Sequence, residues 1–495
     1  MNCHSQIKNY FLIFLFFFSI YFLVSSGRIE NVDGMNMFQV TQSLVEKQSF
    51  KLDLFSGGTV YGPDGNIYYP CGLGHPMATI PFFLAGKFFL QLFNIHQNEL
   101  IYLRFFVSLF NPFITALTCL ILFIFFQKLG CSYKKAFFLT SLYGFATISF
   151  PYAKYCFNQP LASFCLLTSI FFLYISRQKI SLKRILIAGF FFGYVFFTRN
   201  ELIVLLPIIL ICFYLLIEKK SFKNFSIFFL PILFFGITTL FYNKIRFGNF
   251  FETGYNLLFE KNSIFAFNPI LILKNIFLFF FDINSGIIFL MPISFIFFFS
   301  FFKFWQNYKL ESLVFFLLIF SIIILYSCYV YCPLGGWCWG PRFLVLIIPF
   351  LSLPTIALIP LLKNKKILYF VIFITLLSIA IQILVVSTSY LLIFENPVKT
   401  IFLKMQFQNF VHCFKNTFIF LQQKAIVNKE FFLNNCLDFW FIYLFYIKPV
   451  KYLLLIPLFI VIFIISLGCY LILNCIQNDN KVAKESVLDN TVEKP

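Results

Sequence analysis

The chain has 495 residues, of which 60% are hydrophobic and only 12% charged. Soluble domains carry about 25% charged residues, so no water-facing surface can be assembled from this composition. The net charge is +19, yet the basic residues sit in short loops between apolar runs instead of sharing a polar face with base-stacking aromatics, which excludes nucleic acid as a partner and points to a lipid bilayer.

The apolar runs are continuous rather than alternating, so the expected spans are helices and not barrel strands. A helix needs about 20 residues to cross the hydrocarbon. On that basis the sequence predicts spans near 11–26, 101–126, 136–151, 160–175, 185–198, 201–217, 225–241, 284–302, 312–330, 343–362, 367–393 and 451–474. The predicted fold class is an all-α polytopic membrane protein with about 12 transmembrane helices and a long outer first loop carrying interfacial helices. In chain order the expected units are a first helix (1–26), an outer loop (27–100), a multi-span core (101–393), an outer loop (394–450), a last helix (451–474) and a polar cytoplasmic tail (475–495).

Five loops, Gln127–Lys135, Ser176–Arg184, Glu218–Asn224, Lys303–Glu311 and Lys363–Lys366, hold fifteen Lys and Arg residues. Short loops this basic read as cytoplasmic. Thirteen of the nineteen acidic residues then fall on the opposite side, so charge alone sorts the loops into two sets. The run at 11–26 is expected to be retained as a helix, a cleaved signal peptide being the alternative. Counting Met77–Phe93 as a span would turn Lys128, Lys134 and Lys135 outward, so it is expected to lie at the outer surface. Within the first loop, Met35, Phe38, Gln42 and Val45 form one helical stripe, which predicts a helix along the membrane surface. Fourteen Cys show no C-x-x-C pair, which argues against a zinc or redox site. Cys332 and Cys338 share an outer loop and are expected to be unlinked thiols.

Polar motifs collect at the outer ends of spans. Asp33, in SSGRIENVDGMNMF, stands a few residues beyond the first span and just before the surface helix, where a carboxylate could act as a general base or merely cap the helix. In TVYGPDGNIYYPCGLGHPMATIPFF, Gly72 and Gly74 allow close backbone approach, and Tyr69 and His75 beside them could shape a pocket; a structural histidine is the simpler alternative. YAKYCFNQP (152–160), FTRNE (197–201), FYNKIRFGNFFETGY (241–255) and GGWCWGPR (335–342) follow. Three of these carry a lone Arg. Arg199, Arg246 and Arg342 are candidate clamps for a lipid phosphate, because the guanidinium fork matches phosphate oxygens; snorkelling to the headgroups is the alternative for each. Trp337 and Trp339 also suit an interfacial aromatic belt.

Taken in order, these segments, together with FDINSGIIFLMP and WCWGPRFLVLIIPF, resemble the polytopic C-type glycosyltransferases, the superfamily of protein O-mannosyltransferases and aminoarabinose transferases, and within it a bacterial branch. The resemblance covers positions 32 to 350. It implies transfer of a sugar from a polyprenyl-phosphate carrier to a lipid, glycan or protein acceptor on the outer face of a bacterial inner membrane, with inversion at the anomeric carbon. It also implies that Asp33 deprotonates the acceptor hydroxyl while Arg199, Arg246, Arg342, Tyr69, His75, Gln159 and Trp337 bind substrate.

There are two departures: Gln159 stands where relatives usually have an acidic residue, and His75 where an amide is frequent. Losing a carboxylate weakens a divalent-metal site, so no metal ligands are assigned although a divalent metal is left open. The alternatives are a lipid or solute transporter, which would be expected to carry inverted repeats and charges at span centres that this sequence lacks, and a noncatalytic homologue.

Overall fold

The computed structural model describes residues 3–177, 179–259, 264–395, 401–423, 435–442 and 456–471. The predicted tail (475–495) and the parts 396–400, 424–434 and 443–450 of the predicted loop at 394–450 lie outside the described residues.

Helices dominate. The N-terminal half consists of α1 (Cys3–Val24), α2 (Val32–Lys47), α3 (Gly74–Leu92), α4 (Glu99–Ser108), α5 (Phe110–Lys128), α6 (Tyr133–Ala146), α7 (Ser149–Lys154), α8 (Gln159–Ile175), α9 (Leu182–Thr198) and α10 (Leu206–Leu216). Then come α11 (Phe222–Phe247), α12 (Tyr255–Leu258), α13 (Pro269–Phe281), α14 (Ile287–Leu290), α15 (Ser294–Asn307), α16 (Lys309–Ser327) and α17 (Ile348–Ser352). The last are α18 (Lys365–Ser387), α19 (Leu392–Glu395), α20 (Phe402–Gln423) and α21 (Ile456–Leu471). The only strands among the described residues are β1 (Val60–Tyr61) and β2 (Ile67–Tyr68), a two-residue antiparallel hairpin in the first loop.

Among the described residues, five stretches are long and apolar enough to cross a membrane, Gln6–Val24, Glu99–Lys128, Phe222–Phe247, Lys309–Ser327 and Lys365–Ser387, with five shorter apolar helices besides. The chain is thus an all-α, multi-pass integral membrane protein. Its first helix is built into the bundle: Phe17 and Tyr21 are fully buried, and the Tyr21 hydroxyl donates to the Gly144 carbonyl on α6 at 3.0 Å. Further along, α9 packs between α8 and α11. At Gly189 and Gly193, spaced one turn apart, a Cβ would run into the Phe228 carbonyl and the Phe235 ring of α11, so small residues set that close crossing.

Two predicted spans are broken. Pro292 interrupts 284–302, leaving α14 and α15 as separate pieces. The predicted span at 343–362 becomes a 3-10 turn (Arg342–Leu346), α17, and two further 3-10 turns (Leu353–Leu358 and Leu361–Lys363). Pro349, Pro354 and Pro360 each remove an amide donor and block the preceding turn. Hydropathy is blind to this, because the whole stretch Phe343–Ile348 is apolar and buried. Irregular backbone at that depth survives by being enclosed in protein.

The surface helix also differs from expectation. On α2, Met35, Phe38 and Val45 pack into a cluster with Phe83 and Leu90 of α3 and Leu103 of α4, so the stripe faces protein and not lipid. Thr41 adds a polar rivet, its hydroxyl 2.8 Å from that of Thr79 on α3.

Loop contacts gather the basic loops together. Arg177 pairs with Glu311 at 3.1 Å and lies 3.8 Å from Glu218, while the Tyr308 hydroxyl donates to the Leu129 carbonyl at 3.1 Å. Four of the five basic loops therefore meet at one end. The motif-bearing loops meet elsewhere.

Candidate active site

On α2, the side-chain oxygen of Asn31 accepts a hydrogen bond from the Gly34 amide, so Asn31 and not Asp33 caps the helix. That frees the Asp33 carboxylate, which sits in the first turn. Its Oδ1 accepts from the Tyr69 hydroxyl at 2.9 Å and its Oδ2 from Arg342 Nη1 at 2.6 Å. Burial pushes the Asp33 carboxyl up, but the Arg342 guanidinium, with help from Tyr69 and Arg199, holds it below the usual carboxylate value. Asp33 is therefore ionised at neutral pH.

Arg342 reaches Asp33 because of Gly335, whose backbone has a φ of +108° and whose hypothetical Cβ would overlap the Arg342 side chain. The Arg342 guanidinium lies 5.0 Å from the Phe157 ring centre and 5.3 Å from that of Phe343. Arg199 leaves the C-terminus of α9, donates to Glu201 at 2.7 Å and to Asn158 at 3.0 Å, and sits 5.0 Å from the same Phe343 ring. One aromatic ring thus lies against both guanidiniums. The Tyr69 segment packs tightly on α9, since a Cβ at Gly72 would strike the backbone carbonyls of Phe197 and Thr198.

Two cavities meet at Asp33. The first, about 250 Å³, is lined by Asp33, Tyr69, Gln159, Arg199, Tyr255 and Arg342 among others. The second, about 310 Å³, is lined by Glu30, Asn31, Asp33, Trp337, Arg342 and Tyr390 among others. Asp33, Phe157, Gly335 and Arg342 belong to both walls.

Of the residues singled out from sequence, Asp33, Tyr69, Gln159, Arg199 and Arg342 come together on the first cavity, and Trp337 on the second. Gln159 opens α8 and is 1% exposed, and its Oε1 makes no hydrogen bond among the described residues. His75 and Arg246 line neither cavity. His75 is buried edge-on against Phe110, with ring centres 5.2 Å apart, and burial drops its pKa to about 4, so it is a neutral imidazole inside the packing. Arg246 is spent on the protein itself: Nη1 donates to the carbonyls of Tyr69 at 2.6 Å and Cys71 at 3.3 Å, and the guanidinium covers the Tyr242 ring at 3.5 Å.

Arg246 therefore holds the segment that carries Tyr69. Arg246→Met should leave two carbonyls without donors, at about 1–3 kcal/mol, and the folded yield and melting temperature of purified protein should fall. Arg342→Lys, by contrast, should keep the yield.

The donor set does not fit a divalent metal. Asp33 is covered by Arg342 and Tyr69, Glu201 by Arg199, and Gln159 supplies an amide. Among the described residues no three of His, Cys, Asp and Glu converge. Cys332 and Cys338 are unlinked.

Sequence reasoning missed three members of this region. Glu201, two residues after Arg199, pairs with it at 2.5 Å and accepts from the Tyr326 hydroxyl at 3.2 Å. Asn158, beside Gln159, fixes the other side of Arg199. Glu30, three residues before Asp33, enters the second cavity wall. Each stood inside a motif already picked out, so the available signal was a charged or amide neighbour at short spacing.

No family model matches the chain, and no curated protein matches it. Among solved structures, the chain is similar to a crystal structure of ArnT from Cupriavidus metallidurans in the apo state, with a TM-score of 0.46 and 11% identity, covering 72% of this chain and 60% of that one. It is also similar to a crystal structure of ArnT from the same organism bound to undecaprenyl phosphate, with a TM-score of 0.47 and 10% identity, covering 96% of this chain and 74% of that one.

Proposed function

We propose that this protein is a membrane glycosyltransferase that moves a sugar from a polyprenyl-phosphate carrier to an acceptor hydroxyl on the outer face of the membrane, inverting the anomeric carbon. One observation carries it: an ionised carboxylate, Asp33, stands on the wall shared by two cavities, of which the first also presents Arg199 and Arg342. A phosphate belongs where two guanidiniums, Arg199 and Arg342, stand together, and an incoming hydroxyl needs only Asp33 within reach. The donor phosphate is accordingly assigned to the first cavity and the acceptor to the second.

In this mechanism the acceptor oxygen attacks the anomeric carbon as the bond from that carbon to the phosphate oxygen breaks. The hydroxyl proton passes to Asp33 and the electron pair leaves with the phosphate. Arg342 links the two events, because its Nη1 is on Asp33 while its Nε makes no hydrogen bond among the described residues. A donor phosphate drawing that guanidinium toward itself loosens its hold on Asp33 and raises the basicity of the carboxylate when substrate is in place. Arg199, with Phe343 beneath it, adds charge stabilisation for the departing phosphate. A phosphate leaving group needs this clamping more than it needs a proton. The isoprenoid tail stays in lipid among the helices.

The test is purified protein in lipid nanodiscs, incubated with a panel of polyprenyl-phosphate sugars and assayed for free polyprenyl phosphate. Release from at least one donor, with product of inverted anomeric configuration by NMR coupling, is the expected result. No release, together with movement of the lipid between leaflets of a vesicle, would replace the transferase by a transporter.

A further inference from the structure

The second cavity differs in chemistry from the first. Its wall presents one guanidinium, Arg342, where the first has two, together with the carboxyl groups of Glu30 and Asp33 and two buried polar groups whose hydrogen bonding is unfinished: the Tyr390 hydroxyl and the Asn31 amide nitrogen make no hydrogen bond among the described residues. Tyr390 is fully buried and Asn31 is 5% exposed. Buried polar groups are almost always satisfied in native proteins, so two unsatisfied ones on a single cavity wall mark a place that a ligand completes. At the cavity's edge, Trp337 is 68% exposed although its indole is a large apolar surface. One face of that ring is stacked on Phe394 at 5.9 Å with a 4° tilt, which fixes its orientation and leaves the other face to a ligand.

We propose that the second cavity is a saccharide site, and that the acceptor is therefore a sugar headgroup or glycan and not a polypeptide. A pyranose has hydroxyls around its rim and an apolar C–H face. The rim suits Glu30, Asp33, Asn31 and Tyr390, which together offer carboxylate oxygens, a hydroxyl and an amide. The face suits the indole of Trp337. Carboxylate oxygens accept two hydroxyls at once, which is how a polyol is held without any charge of its own. A peptide acceptor would need a row of alternating donors and acceptors for its backbone, such as an exposed strand edge, and no strand among the described residues borders this cavity.

The inference rests on the proposed transferase only for the word acceptor; binding itself is independent of transfer. Full-length protein in nanodiscs, without donor, is titrated with maltose, chitobiose and a threonine-containing hexapeptide, and contact is read by saturation-transfer NMR with competition to obtain affinity. At least one disaccharide should bind saturably, the hexapeptide should not, and Trp337→Ala should weaken the disaccharide roughly tenfold. Because Trp337 is exposed, that variant keeps the fold; Tyr390→Phe, which removes one oxygen, should weaken binding by a smaller factor. Peptide binding without disaccharide binding, or disaccharide binding indifferent to both variants, overturns the proposal. If donor is consumed but only peptide binds, the acceptor class falls and transfer stands. If disaccharide binds through Trp337 but no donor is ever consumed, transfer falls and the saccharide site stands.

Discussion

Asp33→Asn should lower sugar transfer by about 10²–10⁴-fold, the usual loss on removing a general base, while leaving the amount of folded protein unchanged. The substitution keeps the shape and leaves one oxygen for the Arg342 and Tyr69 hydrogen bonds, but an amide cannot take a proton. The expectation is sharpened by Asn31, which already caps α2. With the cap supplied elsewhere, Asp33 has no helix-terminal duty that Asn could inherit, so an unchanged rate would remove it from the mechanism outright. The pH dependence adds a second readout. Arg342 holds the Asp33 carboxyl below the ordinary range, so in the free enzyme the group stays ionised as pH falls through the normal carboxylate values, and kcat/KM should retain its plateau there. Arg342→Lys should move the acid limb upward, since a single ammonium on a flexible stem replaces the planar fork. Transfer rates at equal protein level, measured from acid to neutral pH for wild type and both variants, decide the matter.

The site was legible in outline because its chemistry is concentrated in short polar motifs surrounded by hydrocarbon. In so apolar a chain, each of VDG, YYPCGLGH, NQP, FTRNE and GPR is conspicuous, and Asp33, Tyr69, Gln159, Arg199 and Arg342 do come together on one cavity. What sequence could not supply was division of labour among like residues. Arg246 and Arg342 both follow apolar spans, yet one caps backbone carbonyls and the other faces a carboxylate. That distinction depends on which way the end of α11 leans relative to the first loop. Asp33 and Asn31 were ambiguous for a different reason: either can cap a helix, and two residues of uncertainty in where α2 starts decides between cap and base.

The fold divides in the same manner. Charge is a local property, and the Arg177, Glu218 and Glu311 contacts bring together basic loops that charge alone had grouped. Helix continuity was less legible. Over Arg342–Lys363, hydropathy sees one span while three prolines break the hydrogen-bond ladder, and the consequence is functional: the turn beginning at Arg342 places its guanidinium against Asp33 instead of running on as a regular helix.

The largest effect on stability should come from a residue with no part in the chemistry. Lys154, at the end of α7, is completely buried, and its ammonium forms an ion pair with Asp438 Oδ2 at 2.6 Å and donates to the carbonyls of Val386 and Asp438 at 2.8 Å and 2.7 Å. Asp438 also accepts from Arg28 at 2.8 Å, and Arg28 lies 3.5 Å from Glu30. Four charges thus tie the first loop, α7 and the segment 435–442 together beside the second cavity. Lys154→Met matches the side chain in length but leaves Asp438 Oδ2 and two carbonyls without their cation, only Arg28 remaining on the carboxylate, and removing one partner of a buried pair costs about 3–5 kcal/mol. Lys47→Met, which breaks the exposed pair with Asp53, should change nothing measurable. Titration separates the two carboxyls of the cluster. Burial and the neighbouring Asp438 charge push the Glu30 carboxyl up to about 7, whereas Arg28 and Lys154 overcome burial to hold Asp438 well below the usual range. The signs are opposite. Folded protein retains a proton on Glu30 that the unfolded chain has already lost, so this group's contribution falls as pH rises from the ordinary Glu range to about 7. Asp438 contributes stability at neutral pH that disappears only under strong acid. Melting curves taken across this interval should therefore decline for wild type and flatten for Glu30→Gln, and a Lys154→Met protein that melts at the wild-type temperature would show that the cluster is not what holds segment 435–442 in place.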